Sequence, residues 1–359
     1  MTDHNAPYQG VSAADTPTTR SADEYTGWQK LVAKYSKPDQ KQALWQVANS
    51  FGGLFLGWLL MYLSLEVGYW LTLLLAIPTA GFVVRIFIIQ HDCGHNSFLP
   101  SRQANDIVGI IASMFTLVPY KFWRKSHAIH HAHHAELEER GIGDVWTLTV
   151  DEFAQAPLWK RLGYRIFRNP IFLFGIAPTI NFVVLYRFTL GAKSQWRPDE
   201  KRSVWWTNAM IAGLMAIFSA LIGFGAVVAI TLPVIAIASS AGVWMFYVQH
   251  QFERTYWEHT PEWSYTLAAM HGSSYYKLHP VLQWFTGNIG FHHIHHLSPR
   301  IPNYNLQRCH DENPLLQQVT HLTLFSSLKT AGLTLWDEKR QRLVTFAEAL
   351  RGNRSTAGA

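Results

Sequence analysis

The chain has 359 residues, 48% of them hydrophobic and only 15% charged, with a formal net charge of +6. The charged share lies well below the usual quarter, and the apolar residues fall in long uncharged blocks, which excludes an ordinary soluble domain. Two cysteines exclude a disulfide framework, and no basic stripe stands apart from the apolar blocks, so no nucleic-acid partner is expected.

Residues 1 to 25 are rich in Asp, Thr, Ser, Ala and Pro. They read as a disordered tail, with no cleavable signal. A first apolar run, 43 to 65, and a second, about 68 to 89, are joined by "EVG". Each is close to the ~20 residues that cross ~30 Å of hydrocarbon, so they form a membrane hairpin. Arg85, near the end of the second run, can snorkel to the interface. "HDCGH" follows at once, with His91 and His95. Next comes "DIVGIIASMFTLVP", 106 to 119. It is too short to cross and lies between two histidine clusters, so it reads as re-entrant or interfacial.

"HAIHHAHH" then supplies His127, His130, His131, His133 and His134. The apolar piece 171 to 188 is flanked by Lys160, Arg161, Arg165 and Arg168, and by Arg187, Lys193, Arg197, Lys201 and Arg202. Positive charge on both flanks places both ends on one side, the cytoplasmic one. A true span here would move the last cluster across the membrane. A second pair of spans, about 204 to 223 and 227 to 249, is joined around "GFG". His250 follows, and then "GFHHIHHL" with His292, His293, His295 and His296. "GSSYYKL", 272 to 278, is a polar–aromatic loop that suits a lipid headgroup. Residues 352 to 359 read as a second disordered tail, which leaves 26 to 351 as one membrane domain.

With four spans, the basic N-terminal flank (Lys30, Lys34, Lys37, Lys41), the loop from 90 to 203 and the tail from 250 share one face. The expected fold is all-α and integral to the membrane: two transmembrane hairpins under a cytoplasmic helical cap. Every histidine cluster then faces the cytoplasm.

On a helix, residues i, i+3 and i+4 fall on one face. The spacing H-x-x-H-H occurs at 127/130/131 and again at 292/295/296, and His91 and His95 stand at i and i+4. Each cluster can therefore aim two or three imidazoles at one point. Eight converging nitrogens are too many for one zinc, and suit two metals with open positions. Imidazole suits iron among other metals. The lack of carboxylates in the clusters separates them from soluble carboxylate di-iron bundles. A metal-ion transporter would carry ionisable residues along its spans, and these spans have almost none.

On these residues the chain resembles the membrane fatty acid desaturase family, over roughly residues 40 to 340. "HDCGH", "HAIHH" and "HHIHH" match its three histidine boxes. "HDCGHNSF" and "NIGFHHIHHLSPRIPNYNL" are most similar to the delta-12 or omega-6 acyl-lipid branch. The resemblance implies a non-haem di-iron centre, O2 as co-substrate, and a cis double bond introduced into a fatty acyl chain. It also implies two electrons per turnover from ferredoxin or a cytochrome b5-type donor with its reductase. No "HPGG" haem motif occurs, so that donor is expected to be a separate protein.

The implied ligands are His91, His95, His127, His130, His131, His292, His295 and His296, with His250 as a ninth that the resemblance adds. Some members carry an Asn four residues before that histidine; here the position is Phe246. Asp92 and Asp144 suit acceptors for ligand N–H groups. His134 and His293 are candidates for contact with ligands or substrate, and His133 for the surface. Hydroxylases and ketolases of alkanes, sterols or carotenoids share such boxes and are the alternative reading. The expected location is a bacterial inner membrane, with the site on the cytoplasmic side and a bent apolar channel leading to it.

Overall fold

The computed structural model describes residues 21–190 and 196–356. The N-terminal residues 1–20 and Lys193 lie outside the described residues. The tail boundary moves at both ends. Ala22–Tyr25 form a helical turn whose Tyr25 is buried, with its hydroxyl 3.1 Å from His271 Nε2. Helix α16 (Phe346–Thr356) runs into the segment read as the second tail.

After the short α1 (Trp28–Ala33), four helices are long and apolar enough to cross a membrane: α2 (Gln40–Ser64), α3 (Tyr69–Gly94), α9 (Pro198–Ile222) and α10 (Phe224–His250). They extend the expected spans by several residues, mostly at the histidine-bearing end. Asp39 starts α2 by accepting the backbone N–H groups of Lys41 and Gln42, which otherwise have no helical partner. α2 and α3 form a tight hairpin. A Cβ at Gly53 would lie 2.1 Å from the Phe82 ring, and one at Gly57 2.5 Å from Thr79 Oγ1, so only glycine permits this approach.

The two second helices of the hairpins, α3 and α10, run parallel. The Tyr69 hydroxyl at the start of α3 donates to Ala229 O near the start of α10. Their C-terminal ends therefore lie together, carrying His91 and His250. α3 is the central helix: over half of its most apolar stretch is buried, against 6% in α9. The outer faces of α2 and α9 present Leu56, Leu59, Trp206 and Leu221 outward, as lipid contact requires.

Each short apolar piece belongs to a helix pair bent by more than 40° at a break, the shape of a re-entrant loop or of a broken span. α4 (Arg102–Thr116) ends at Leu117, which takes a left-handed conformation (φ 59), and the chain turns by 100° into α5 (Tyr120–His133). That turn is pinned to the histidine end of α3. Thr116 Oγ1 donates to Gln90 Oε1 (2.6 Å), Gln90 Nε2 to Val118 O (3.0 Å), and Tyr120 OH to Cys93 O (2.8 Å). After α6 (Val150–Gln155) and α7 (Leu158–Phe167), a π-helical turn Ile171–Ile176 leads into α8 (Ala177–Val183) and a 3-10 turn Leu185–Arg187.

Both ends of this second segment are tied at the same level. Arg168 donates to Tyr247 OH (3.1 Å) and Gln251 Oε1 (3.2 Å) beside His250. Arg187 donates to Leu117 O and to Asn208 Oδ1. The segment packs against α10 and is bent by 59° between α7 and Ile171–Arg187.

The cap holds α11 (Tyr265–His271), α12 (Pro280–Phe285), α13 (His292–Leu297), α14 (Asn303–Asp311) and α15 (Leu324–Ser327). It also holds two small sheets that sequence reading did not anticipate. β1 (Leu148–Thr149) runs parallel to β4 (Leu335–Asp337), which pairs antiparallel with β5 (Arg342–Val344). β2 (Tyr275–Lys277) runs parallel to β3 (His321–Thr323).

Two predictions follow from the tied segment. Both native cysteines are buried, so single surface cysteines report topology cleanly. Arg161→Cys and Arg202→Cys are expected to react with an impermeant maleimide from one side, and Val67→Cys from the other; opposite sides for the first two would make 171–188 a span. Arg168 is 2% exposed and also donates to Leu333 O (2.6 Å). Arg168→Ala strands several buried acceptors and is expected to cost about 3 kcal/mol or more, read as a lower thermal midpoint in detergent.

Candidate metal centre

Each expected ligand is delivered by an element that ends or begins at one spot. α3 brings His91 and His95, α5 brings His127, His130 and His131, α10 brings His250, and α13 brings His292, His295 and His296. The i, i+3, i+4 spacing works as elementary helix geometry requires.

The nitrogens gather at two foci. His91, His95, His127, His131 and His295 offer atoms all within 4.8 Å of one another. His130, His134 and His250 form a second group, and His250, His292 and His296 a third that shares His250. The rings of His131 and His296 stack at 4.2 Å between centroids and join the foci. His134, left outside the ligand set by the sequence reading, stands inside a group. Its Nε2 is 2.9 Å from Gly272 O.

The donor set fits cations better than hydrogen bonding. His131 Nε2 lies 3.1 Å from His127 Nε2 and 3.0 Å from His295 Nε2. His292 Nε2 lies 2.9 Å from His250 Nε2 and 3.1 Å from His296 Nε2. One ring nitrogen holds one proton or one lone pair, so it cannot satisfy two such neighbours. Nitrogens held 2.0–2.1 Å from one ion at right angles sit about 3 Å apart. His95 Nε2 and His130 Nε2 are buried with no hydrogen-bond partner, as a donor reserved for a metal would be.

Burial tunes the same groups. Outside the spans, His95, His127, His131, His292, His295 and His296 have pKa values held well below the ordinary imidazole value, first by loss of solvent and then by neighbouring imidazoles. His134 is lowered to about 3 by burial, then by His130. Neutral rings are the form that ligates.

Two carboxylates set ring orientation. Asp92 Oδ1 accepts from His91 Nδ1 (2.9 Å), and Asp144 Oδ1 from His130 Nδ1 (2.6 Å). Each turns the opposite nitrogen, Nε2, inward. Gly143 takes φ +78, and a Cβ there would meet His130 Cβ at 2.9 Å, so glycine lets the Asp144 loop close on the ring.

Several residues escaped the sequence reading. Asn303 holds the other Asp92 oxygen through its backbone N (2.6 Å) and Nδ2 (2.8 Å). Gly272 O also lies 3.3 Å from His250 Nδ1. Trp123 stacks on His127 at 4.5 Å. The "NYNL" and "GSSYY" stretches were visible, but nothing in one-dimensional spacing points a backbone carbonyl or an amide at a distant ring.

Two other expectations change. "GSSYYKL" is not a headgroup surface: Ser273, Ser274, Tyr275 and Tyr276 are buried, with Ser274 N on Gln249 O, so the strand seals the end of α10. His293 is in neither focus nor the cavity lining; its Nε2 is 2.9 Å from Leu316 O and its ring 5.5 Å from His310. His133 Nδ1 turns outward to Glu136 (2.8 Å).

A cavity of about 500 Å³ meets the foci at His91, His127 and His292. It runs between α3, α10 and the tied 168–187 segment, past Val84, Phe87, Phe182 and Gly242. Its size is ordinary for a small-molecule site. Phe246 forms part of its wall, 5.2 Å from the His130 ring.

The fatty acid desaturase family model matches residues 67–322. A fatty acid desaturase of Bacillus subtilis is 44% identical over 317 residues, 88% of this chain and 89% of that protein. An sn-1 oleoyl-lipid 12-desaturase of Synechocystis sp. is 30% identical, over 62% of this chain and 63% of its own length. An sn-1 acyl-lipid omega-3 desaturase (ferredoxin) of Nostoc sp. is 25% identical over 66% of each.

Asp144→Ala is expected to weaken metal binding about 10–100-fold, measured by competition with a chelator. Acid should act on the metal-free protein through the buried rings. Below the ordinary imidazole pKa of about 6.5, the unfolded chain takes up protons that the folded sites refuse, so stability falls as pH falls. The thermal midpoint of metal-free protein should drop between about pH 7.5 and 5.5, and a flat profile would contradict neutral burial.

Proposed function

This chain belongs to the fatty acid desaturase family, and from that premise we propose that it introduces a cis double bond into a fatty acyl chain at a non-haem di-iron centre. The observation that carries the proposal is the convergence of histidine nitrogens on two foci at the end of an apolar cavity.

The proposed ligands are His91, His95, His127, His131 and His295 at one focus. At the other they are His130, His250, His292 and His296, with His134 at its rim. When bound, two iron ions supply the redox chemistry that reduces O2 and breaks unactivated C–H bonds. The balance is O2, two electrons, two protons and one CH2–CH2 unit giving CH=CH and two waters.

The chain's own work is positional. Asp92 and Asp144 hold the Nδ1–H of His91 and His130, so their Nε2 lone pairs face the foci. Trp123 packs flat on His127 and blocks its rotation. The apolar walls from α3 and α10 exclude water and hold one C–C bond of a flexible chain beside the foci. No acid or base on the chain is required at the reacting carbons.

The electrons come from a separate carrier, ferredoxin or a cytochrome b5-type protein. The ferredoxin named in the Nostoc relative and the positive net charge of this chain support an acidic carrier. The proposed location is a bacterial inner membrane with the histidines on the cytoplasmic side. The lysines and arginines flanking the histidine-bearing ends support that side.

The test is expression in a host with a ferredoxin, followed by gas chromatography of host lipids. New unsaturated acyl chains are expected, together with about two iron atoms per purified chain. His131→Ala and His295→Ala should lose both iron and product. Unchanged host lipids with zinc alone in the protein would overturn the proposal.

A further inference from the structure

The cavity does not stop at the histidines. Along α10 its wall runs from Gln249 through Gly242 and Ser239 to Ile235. Those 14 residue steps cover about 21 Å at 1.5 Å each. Val83 and Val84 of α3 and Ala177 and Pro178 beside α8 line it as well. The polar side chains here are already paired: the Ser239 hydroxyl is spent on Ala236 O (3.1 Å) within its own helix, and Asn181 hydrogen-bonds Tyr186. A polar headgroup buried at this end would lose its water without replacement, so the end suits only the methyl-terminal part of a chain.

Gly242 stands eight residues before His250, about 12 Å down the helix. The bundle's other close-packed glycines are there because a neighbour leaves no room: Gly53, Gly57 and Gly81 each face a side chain within 3 Å of a Cβ. Gly242 differs. A Cβ there meets nothing within 4 Å, and the residue lines the cavity. Helix packing does not require its missing side chain. The space it leaves belongs to the cavity.

We propose that Gly242 sets how many carbons can lie beyond the reacting pair, and so is a chain-length determinant of the enzyme. This rests on the acyl-desaturase reading above. A side chain grown from position 242 enters the cavity below the foci and touches no metal ligand. It shortens the distal run and leaves the chemistry in place. Longer acyl chains then cannot bring the same bond to the foci, whereas shorter ones still can.

The experiment compares wild type, Gly242→Ala, Gly242→Val and Gly242→Leu in a host fed palmitate or stearate, with products resolved by chain length and double-bond position. Iron content of each purified protein is measured in parallel. The expected result is a graded rise in palmitoyl over stearoyl product, reaching about tenfold or more at Gly242→Leu, with iron unchanged. Loss of stearoyl product with palmitoyl product retained is the same result in its extreme form.

The proposal is overturned if active variants keep the wild-type chain-length ratio, or if Gly242→Ala, the smallest change, loses all product with iron retained. Ser239→Val narrows the same stretch from one turn below and is expected to shift the ratio in the same direction; an opposite shift counts against the proposal. A wild-type protein that makes no double bond at all refutes the desaturase reading instead, and separates the two failures.

Discussion

Ten imidazoles buried at one place can only coexist if they stay neutral and their inward nitrogens share something other than protons. The rest of the fold follows from that constraint. Protonating even a few would set like charges about 3 Å to 5 Å apart in a medium that screens them poorly. The protein meets the constraint by excluding water from the rings and by spending outward nitrogens on fixed acceptors: Asp92, Asp144 and the Gly272 carbonyl. Three acceptors on three different chain segments fix rings that belong to α3, α5 and α10.

Such convergence demands that helix ends meet. Parallel α3 and α10 bring His91 and His250 to one level, and a hairpin precedes each so that both run toward the same face. The remaining histidines must come from segments that never leave that face. The two bent apolar pieces, tied to the histidine end of α3 and beside His250, fit that requirement. The left-handed turn at Leu117 would be unfavourable alone. It is held by Arg187 on Leu117 O and by Thr116 on Gln90, so the same contacts close the α4–α5 corner and anchor the cavity wall.

Much of this was legible in the sequence, because period and length carry it. Runs near twenty residues gave the spans. Histidines at i, i+3 and i+4 gave three ligand faces. What escaped depends on contacts between distant segments. His250 is one histidine at a helix end, and no local spacing marks it; only resemblance did. His134 lies three and four residues from His131 and His130, yet its place among the ligands depends on where Gly272 arrives from the cap. His293 shares the box with three proposed ligands but sits on another face of α13, and it packs toward His310 instead. The two small sheets have strands of only two or three residues, too short for alternation to show.

The distribution of charge around the foci bears on what a metal there can do. Among the described residues, the only carboxylates hydrogen-bonded to ligand rings of the proposed set are Asp92 and Asp144, and both accept from Nδ1 rather than facing the foci. The nearby buried arginine, Arg168, bonds to carbonyls, a hydroxyl and an amide, not to an acid. A metal held there by neutral imidazoles would therefore keep most of its positive charge. Replacing anionic ligands by imidazole raises a reduction potential, as in iron–sulfur centres where histidines stand in for cysteines. Retained positive charge would ease reduction of a metal bound there. The scarcity of carboxylates in the boxes is thus of one piece with the mostly apolar cavity beside them, where Asp144 is the acid at the wall.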